Sequence, residues 1–73
     1  MPKLYSSMDI EKVLLSIGFS LISQKGSHGK FKNQKGSTVI VPMNRKEIPI
    51  GTFKSILKQS ELSNSEFEKL FNS

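Results

Sequence analysis

Lys25-Gly26-Ser27-His28-Gly29-Lys30-Phe31 is the stretch from which the architecture of this chain can be read. Gly26-Ser27 is a Gly-X pair of the kind that a two-residue type II′ hairpin takes, because glycine adopts the positive φ required at the first central position. It joins a strand ending at Lys25 to one running from His28 to Asn33. Period two in the second strand sets His28, Lys30 and Lys32 on one face and Phe31 on the opposite, core-facing side. His28 is also the single histidine among 73 residues. An imidazole, with an ordinary pKa of roughly 6.5, takes and gives a proton near neutrality. The flanking glycines would let a nucleic-acid backbone come close. These residues alone leave His28 open between a proton-transfer group in a phosphate-binding setting and a solvated turn or strand residue.

Working outward, Phe19 to Lys25 reads as the partner strand, with Phe19 and Leu21 on one side, Ser20 and Gln24 on the other, and Ile22 blurring the alternation. Gln34-Lys35-Gly36 supplies a second turn. The β-branched run Ser37-Thr38-Val39-Ile40-Val41 then makes a third strand that Pro42 ends. Three antiparallel strands joined by short hairpins cannot bury both faces, so helices are expected on one face and solvent or ligand on the other. The His28 face is expected to be the open one.

The flanks are helical. After an extended arm over residues 1–5, Ser6-x-x-Asp9 has the form of a capping box, and Ile10, Val13, Leu14 and Ile17 follow the spacing of one buried face. The first helix is therefore expected over Ser7 to Ile17, with Gly18 as its left-handed stop. Met43 to Pro49 reads as a loop carrying Arg45, Lys46 and Glu47. A second helix starts at Pro49 or Ile50, with Ile50, Phe53, Ile56 and Leu57 as its apolar stripe and Lys54 and Lys58 on its other side. Ser63-x-x-Glu66 is a second capping box, opening a short last helix with Phe67, Leu70 and Phe71. The expected class is α+β, in the order αβββα plus a terminal helical turn. With no repeat, low-complexity tract or linker, residues 1–73 are expected to form a single domain.

Composition bounds the function. The net charge is +5 and the pI is near 9.8. From Lys12 to Lys46 the chain carries seven basic residues and no acid. Asp9 and Glu11 precede this block, and Glu47, Glu61, Glu66 and Glu68 follow it. Such a field favours a polyanionic partner, with a merely solvated surface as the alternative. A membrane surface fits less well, because the basic block does not coincide with an amphipathic helix. With no cysteine and one histidine, neither disulfide nor structural metal site is expected, and no cofactor is implied. No apolar run approaches the roughly 20 residues that span a bilayer, and the N-terminus lacks a signal peptide's apolar core, so a cytoplasmic protein is expected.

Taken together, these residues resemble the HicA toxins of toxin–antitoxin pairs. The resemblance rests on the capped helix ending in Gly18-Phe19, on Gly26-Ser27-His28 followed by Lys30-Phe31, and on Val39-Ile40-Val41-Pro42. It continues through Glu47-Ile48-Pro49 with Gly51-Thr52, Ser55-Ile56-Leu57-Lys58-Gln59, and Ser63 with Glu66-Phe67. It implies a double-stranded-RNA-binding-domain-like fold and a metal-independent endoribonuclease that cleaves mRNA and is inhibited by an acidic HicB-type antitoxin. The family's catalytic histidine falls on His28. Many relatives carry a second histidine directly after the first, where this chain has Gly29, and many have one past the third strand's proline, where it has Met43-Asn44. On this reading Lys30 and Lys32, then Lys25, stabilise charge on RNA held over Gly26 and Ser27. Glu47 is either a supporting acid or a partner of the helix dipole.

Two rival functions remain at this level. A non-catalytic double-stranded-RNA-binding module shares the αβββα order. Such modules, however, present a lysine cluster at the start of the last main helix, where this chain reads Pro49-Ile50-Gly51-Thr52-Phe53-Lys54. A basic structural or ribosome-associated protein would account for the charge but not for Gly26-Ser27-His28.

Overall fold

In a computed structural model, which describes residues 4–73, the chain runs α1 (Ser7–Ser16), β1 (Ser20–Lys25), β2 (His28–Lys32), β3 (Thr38–Pro42), α2 (Ile50–Ser60) and α3 (Asn64–Phe71). The strands form an antiparallel meander in the order β1-β2-β3. The first three residues of the arm expected over 1–5 lie outside the described residues. Its last, Tyr5, accepts from the Ile48 N–H through its carbonyl (2.8 Å).

Local chemistry sets the helix limits. Ser6 caps α1: its hydroxyl accepts from the Asp9 N–H at 3.1 Å, and its own N–H donates to the Asp9 carboxylate at 3.0 Å. At the other end Gly18 takes φ 97. The Phe19 N–H then reaches back to the Leu14 carbonyl (3.0 Å) and the Gly18 N–H to that of Leu15 (3.3 Å), the paired bonds of a Schellman stop. Ile17 is therefore the cap rather than a helical residue, and Phe19 precedes the strand rather than opening it. Phe19 is nonetheless buried, because the stop folds it back toward the helix it terminates. Ser63 and Glu66 cap α3 as Ser6 and Asp9 cap α1, and α3 is longer than the single turn expected.

The core lies on one side of the sheet. Phe31, Val39 and Val41 meet Ile10, Val13 and Leu14 of α1 and Phe53, Ile56 and Leu57 of α2. Phe67 of α3 is fully buried, with ring centroids 4.8 Å from Tyr5 and 4.9 Å from Phe53. Ile50, expected in the buried stripe of α2, is exposed, while Ile48, two residues before it in the loop, is fully buried. The chain enters α2 at Pro49 with extended geometry, so the inward-facing position falls before the helix. This α-β-β-β-α arrangement, with α3 added, is the double-stranded-RNA-binding-domain-like fold expected from the resemblance. Among the described residues no helix is long and apolar enough to cross a membrane.

The two edges of the sheet differ. On β3 the Ile40 N–H, turned away from β2, donates to the Gln59 side chain of α2 at 3.0 Å. All six residues of β1 are exposed. Helices therefore cover one face over β2 and β3 and brace the β3 edge, leaving β1 exposed and the face that carries His28 open.

Candidate active site

β2 alternates strictly, with His28, Lys30 and Lys32 exposed and Gly29 and Phe31 buried. The hairpin before it is closed by Gly26 at φ 57, with Ser27 outside the left-handed region, the sense of a type II′ turn. A Cβ at Gly26 would meet nothing within 4 Å, so glycine is required there by backbone conformation rather than by crowding.

The pairing of β1 is where sequence periodicity and structure diverge. Leu21 stands opposite Phe31, but Ser23 stands opposite Lys30, and Ile22 is left over as a bulge. One inserted residue shifts every later side chain to the other face. Gln24, expected on the face opposite Leu21, therefore shares Leu21's helix-facing side and pairs with Gly29, while Lys25 joins the His28 face, directly opposite His28.

On the open face, Lys25 faces His28 across the hairpin at roughly 5 Å between Cβ atoms. Lys30 lies two residues along β2, about 7 Å away, and Lys32 about 13 Å away. Ser23, Lys25, His28, Gly29, Lys30 and Ile40 line one shallow depression of about 260 Å³. Two ammonium groups and one imidazole thus converge on a space large enough for a phosphodiester. Lys32 stands beyond it, between Ser20 and Thr38, where it can meet a neighbouring phosphate of the same strand. Gly26 and Ser27 form the exposed rim at the hairpin tip. Glu47 is exposed in the β3–α2 connection and does not line the depression.

Sequence reasoning missed Ser23 and Ile40. Alternation in Val39-Ile40-Val41 was enough to place Ile40 outward. Ser23 needed the bulge.

Gly29 lines the depression through its backbone, but its missing side chain does not open it. It is buried on the helix side, where a Cβ would lie 2.9 Å from the Met43 Sδ, 3.0 Å from its Cγ and 3.2 Å from Leu21 Cδ1. Gly29 and Met43, well separated in sequence, are thus in contact, and Met43 occupies the room that a side chain at Gly29 would need.

The family model for the HicA toxin of bacterial toxin–antitoxin systems matches residues 7–62, from the first residue of α1 to just past α2. Comparison with curated proteins returned no match. Since the matched region covers most of the chain and includes all three strands with both helices that pack on them, the chain belongs to the HicA family of bacterial toxins.

Proposed function

We propose that this protein is the ribonuclease toxin of a toxin–antitoxin pair, that residues 1–73 act as one toxin domain in the cytoplasm, and that His28 is its general base. Family membership supports the toxin assignment. The observation that carries the chemistry is the depression shared by Lys25, His28 and Lys30 on the uncovered sheet face.

In this scheme His28 takes the proton of a ribose 2′-hydroxyl, and the 2′-oxygen attacks the adjacent phosphorus. The P–O bond to the 5′-oxygen of the next nucleotide breaks, leaving a 2′,3′-cyclic phosphate and a 5′-hydroxyl. The protonated imidazole returns the proton to the leaving oxygen, through solvent where the geometry requires it. General base catalysis contributes about 10²- to 10⁴-fold. Lys25 and Lys30 add electrostatic stabilisation of the non-bridging oxygens, and Lys32, with the Gly26-Ser27 rim, holds the flanking strand. The scheme assigns no step to a metal ion or cofactor. A HicB-type antitoxin of opposite charge would silence the enzyme by covering this face.

The test is His28→Ala, an exposed substitution expected to fold normally by circular dichroism while abolishing cleavage of a labelled single-stranded RNA and growth arrest on induction. Wild-type cleavage should persist in EDTA. A folded His28→Ala protein that still cuts RNA at the wild-type rate would overturn the proposal.

A further inference from the structure

Ser7 is buried to 2% exposure, although it is a polar residue at the very start of α1. Its hydroxyl donates to the Pro42 carbonyl and accepts from the Arg45 N–H at 3.0 Å. Its own N–H donates to the Arg45 carbonyl at 2.9 Å. Three hydrogen bonds from one residue thus hold the sharp bend by which the chain leaves β3, and within that bend Asn44 takes the left-handed conformation at φ 60.

That bend reaches the candidate base directly. Pro42 pairs with His28 at a position whose backbone nitrogen, like that of Ile40 two residues earlier, is turned away from β2. The next bond of the ladder comes from the bend itself, where the Met43 N–H donates to the Ser27 carbonyl, one residue before His28. The Met43 side chain meanwhile lies against Gly29, one residue after it. The backbone on both sides of His28 therefore rests on Met43, and the geometry of the turn around Met43 is held by Ser7.

We infer that Ser7 is a positioning residue, whose hydroxyl fixes the Pro42–Arg45 bend so that Met43 holds His28 in place for proton transfer. This inference rests on the proposed role of His28. Ser7 makes no contact with the depression; its effect passes through the bend. Removing the hydroxyl leaves the Pro42 carbonyl and the Arg45 N–H without their partner and frees the bend to shift. Because displacement of a reacting group by about 1 Å can cost up to 100-fold in rate, the effect should fall on kcat, while KM, set by the lysines, stays nearly constant.

The experiment compares wild type, Ser7→Ala, Ser7→Thr, Ile56→Val and His28→Ala as full chains, using a fluorescently labelled single-stranded RNA. Ile56 is buried on α2, so Ile56→Val serves as a control for lost stability with the clasp intact. Ser7→Ala should lower kcat about tenfold with KM within about twofold, and it should shift the amide resonances of Ser27, His28 and Met43. Ser7→Thr, which keeps the hydroxyl, should recover most of the rate. Ile56→Val should keep its kcat. In the wild-type protein the Met43 amide should exchange with solvent far more slowly than that of Lys35 in the β2–β3 turn, a measurement that needs no variant to fold. An inactive His28→Ala beside a fully active Ser7→Ala would overturn the positioning role alone. Equal losses of kcat in Ser7→Ala and Ile56→Val, or a Met43 amide exchanging as fast as Lys35, would also overturn it. An active His28→Ala would instead remove the reading on which it rests.

Discussion

Gly29→Ala should destabilise the protein, and Met43→Ala in the same chain should remove that cost. Gly29 is absent from the positive-φ glycines, so alanine meets no backbone strain there and gains about 0.4–1 kcal/mol through the unfolded chain. Against this, the new methyl would stand 2.9 Å and 3.0 Å from Met43 atoms and 3.2 Å from Leu21, whereas carbon atoms pack best at about 3.5–4.0 Å. Gly29 lies on the central strand, bonded on both sides, so its backbone has little freedom to retreat. Overpacking of this kind costs about 1–3 kcal/mol. Met43 is unbranched and half-buried, so it can swing aside and bring the cost to the lower part of that range. The balance is a net loss of about 1 kcal/mol, or about 4–8 °C in Tm for a domain of this size. With Met43 already cut to alanine the two shortest contacts are gone and only the 3.2 Å approach to Leu21 Cδ1 remains, which the exposed Leu21 side chain can relieve by turning, so Gly29→Ala should become neutral or slightly stabilising. The coupling between the two sites is then about 1–2 kcal/mol. Thermal and urea melts of the four chains, all carrying His28→Ala to permit expression, measure the cycle. A Gly29→Ala protein that melts higher than its parent, or shows the same Tm change with and without Met43, would refute the packing argument.

Lys30→Glu with Lys32→Glu should weaken RNA binding far more than Lys69→Glu, and should reduce the slope of log affinity against log salt by about 0.7 per lost phosphate contact on a single strand; equal effects from Lys69 would mean that net charge alone governs binding. In complex with an acidic antitoxin, amides from Lys25 to Lys32 should be protected from hydrogen exchange, and protection confined to α1, α2 and α3 would show that inhibition does not work by covering this face. The Glu66 carboxyl is held below its ordinary value of 4.5, first by the Ser63 N–H and then by the Ser63 hydroxyl. Its folded-state pKa is thus depressed, so the stability it contributes is present above the unfolded value and lost as pH falls through the folded one. Glu66→Gln should accordingly flatten the loss of α3 helicity on acidification below about pH 4.5, and an acid melt unchanged by the substitution would contradict this.

Much of this protein follows from local chemistry that the sequence carries openly. Ser6 with Asp9, Gly18, Gly26-Ser27 and Ser63 with Glu66 each bring their own donors, acceptors or backbone freedom to within a few residues, so both ends of α1, the start of α3 and the first hairpin were legible without tertiary structure. The alternation of β2 likewise put His28, Lys30 and Lys32 on one face, because a strand fixes side-chain direction residue by residue. What the sequence could not decide was pairing. Ile22 read as a blurred alternation, and only its exclusion from the ladder shows that Gln24 lies on the face of Leu21 and Ser23 on that of His28, since a bulge is defined by two strands together. The missing side chain of Gly29 looked like room for a ligand's backbone until Met43, distant in sequence, came to lie there. Ser7 gave no sign of its role, because a buried serine is recognised by the partners that bury it, and Pro42 and Arg45 reach it only when the chain returns past α1 after β3.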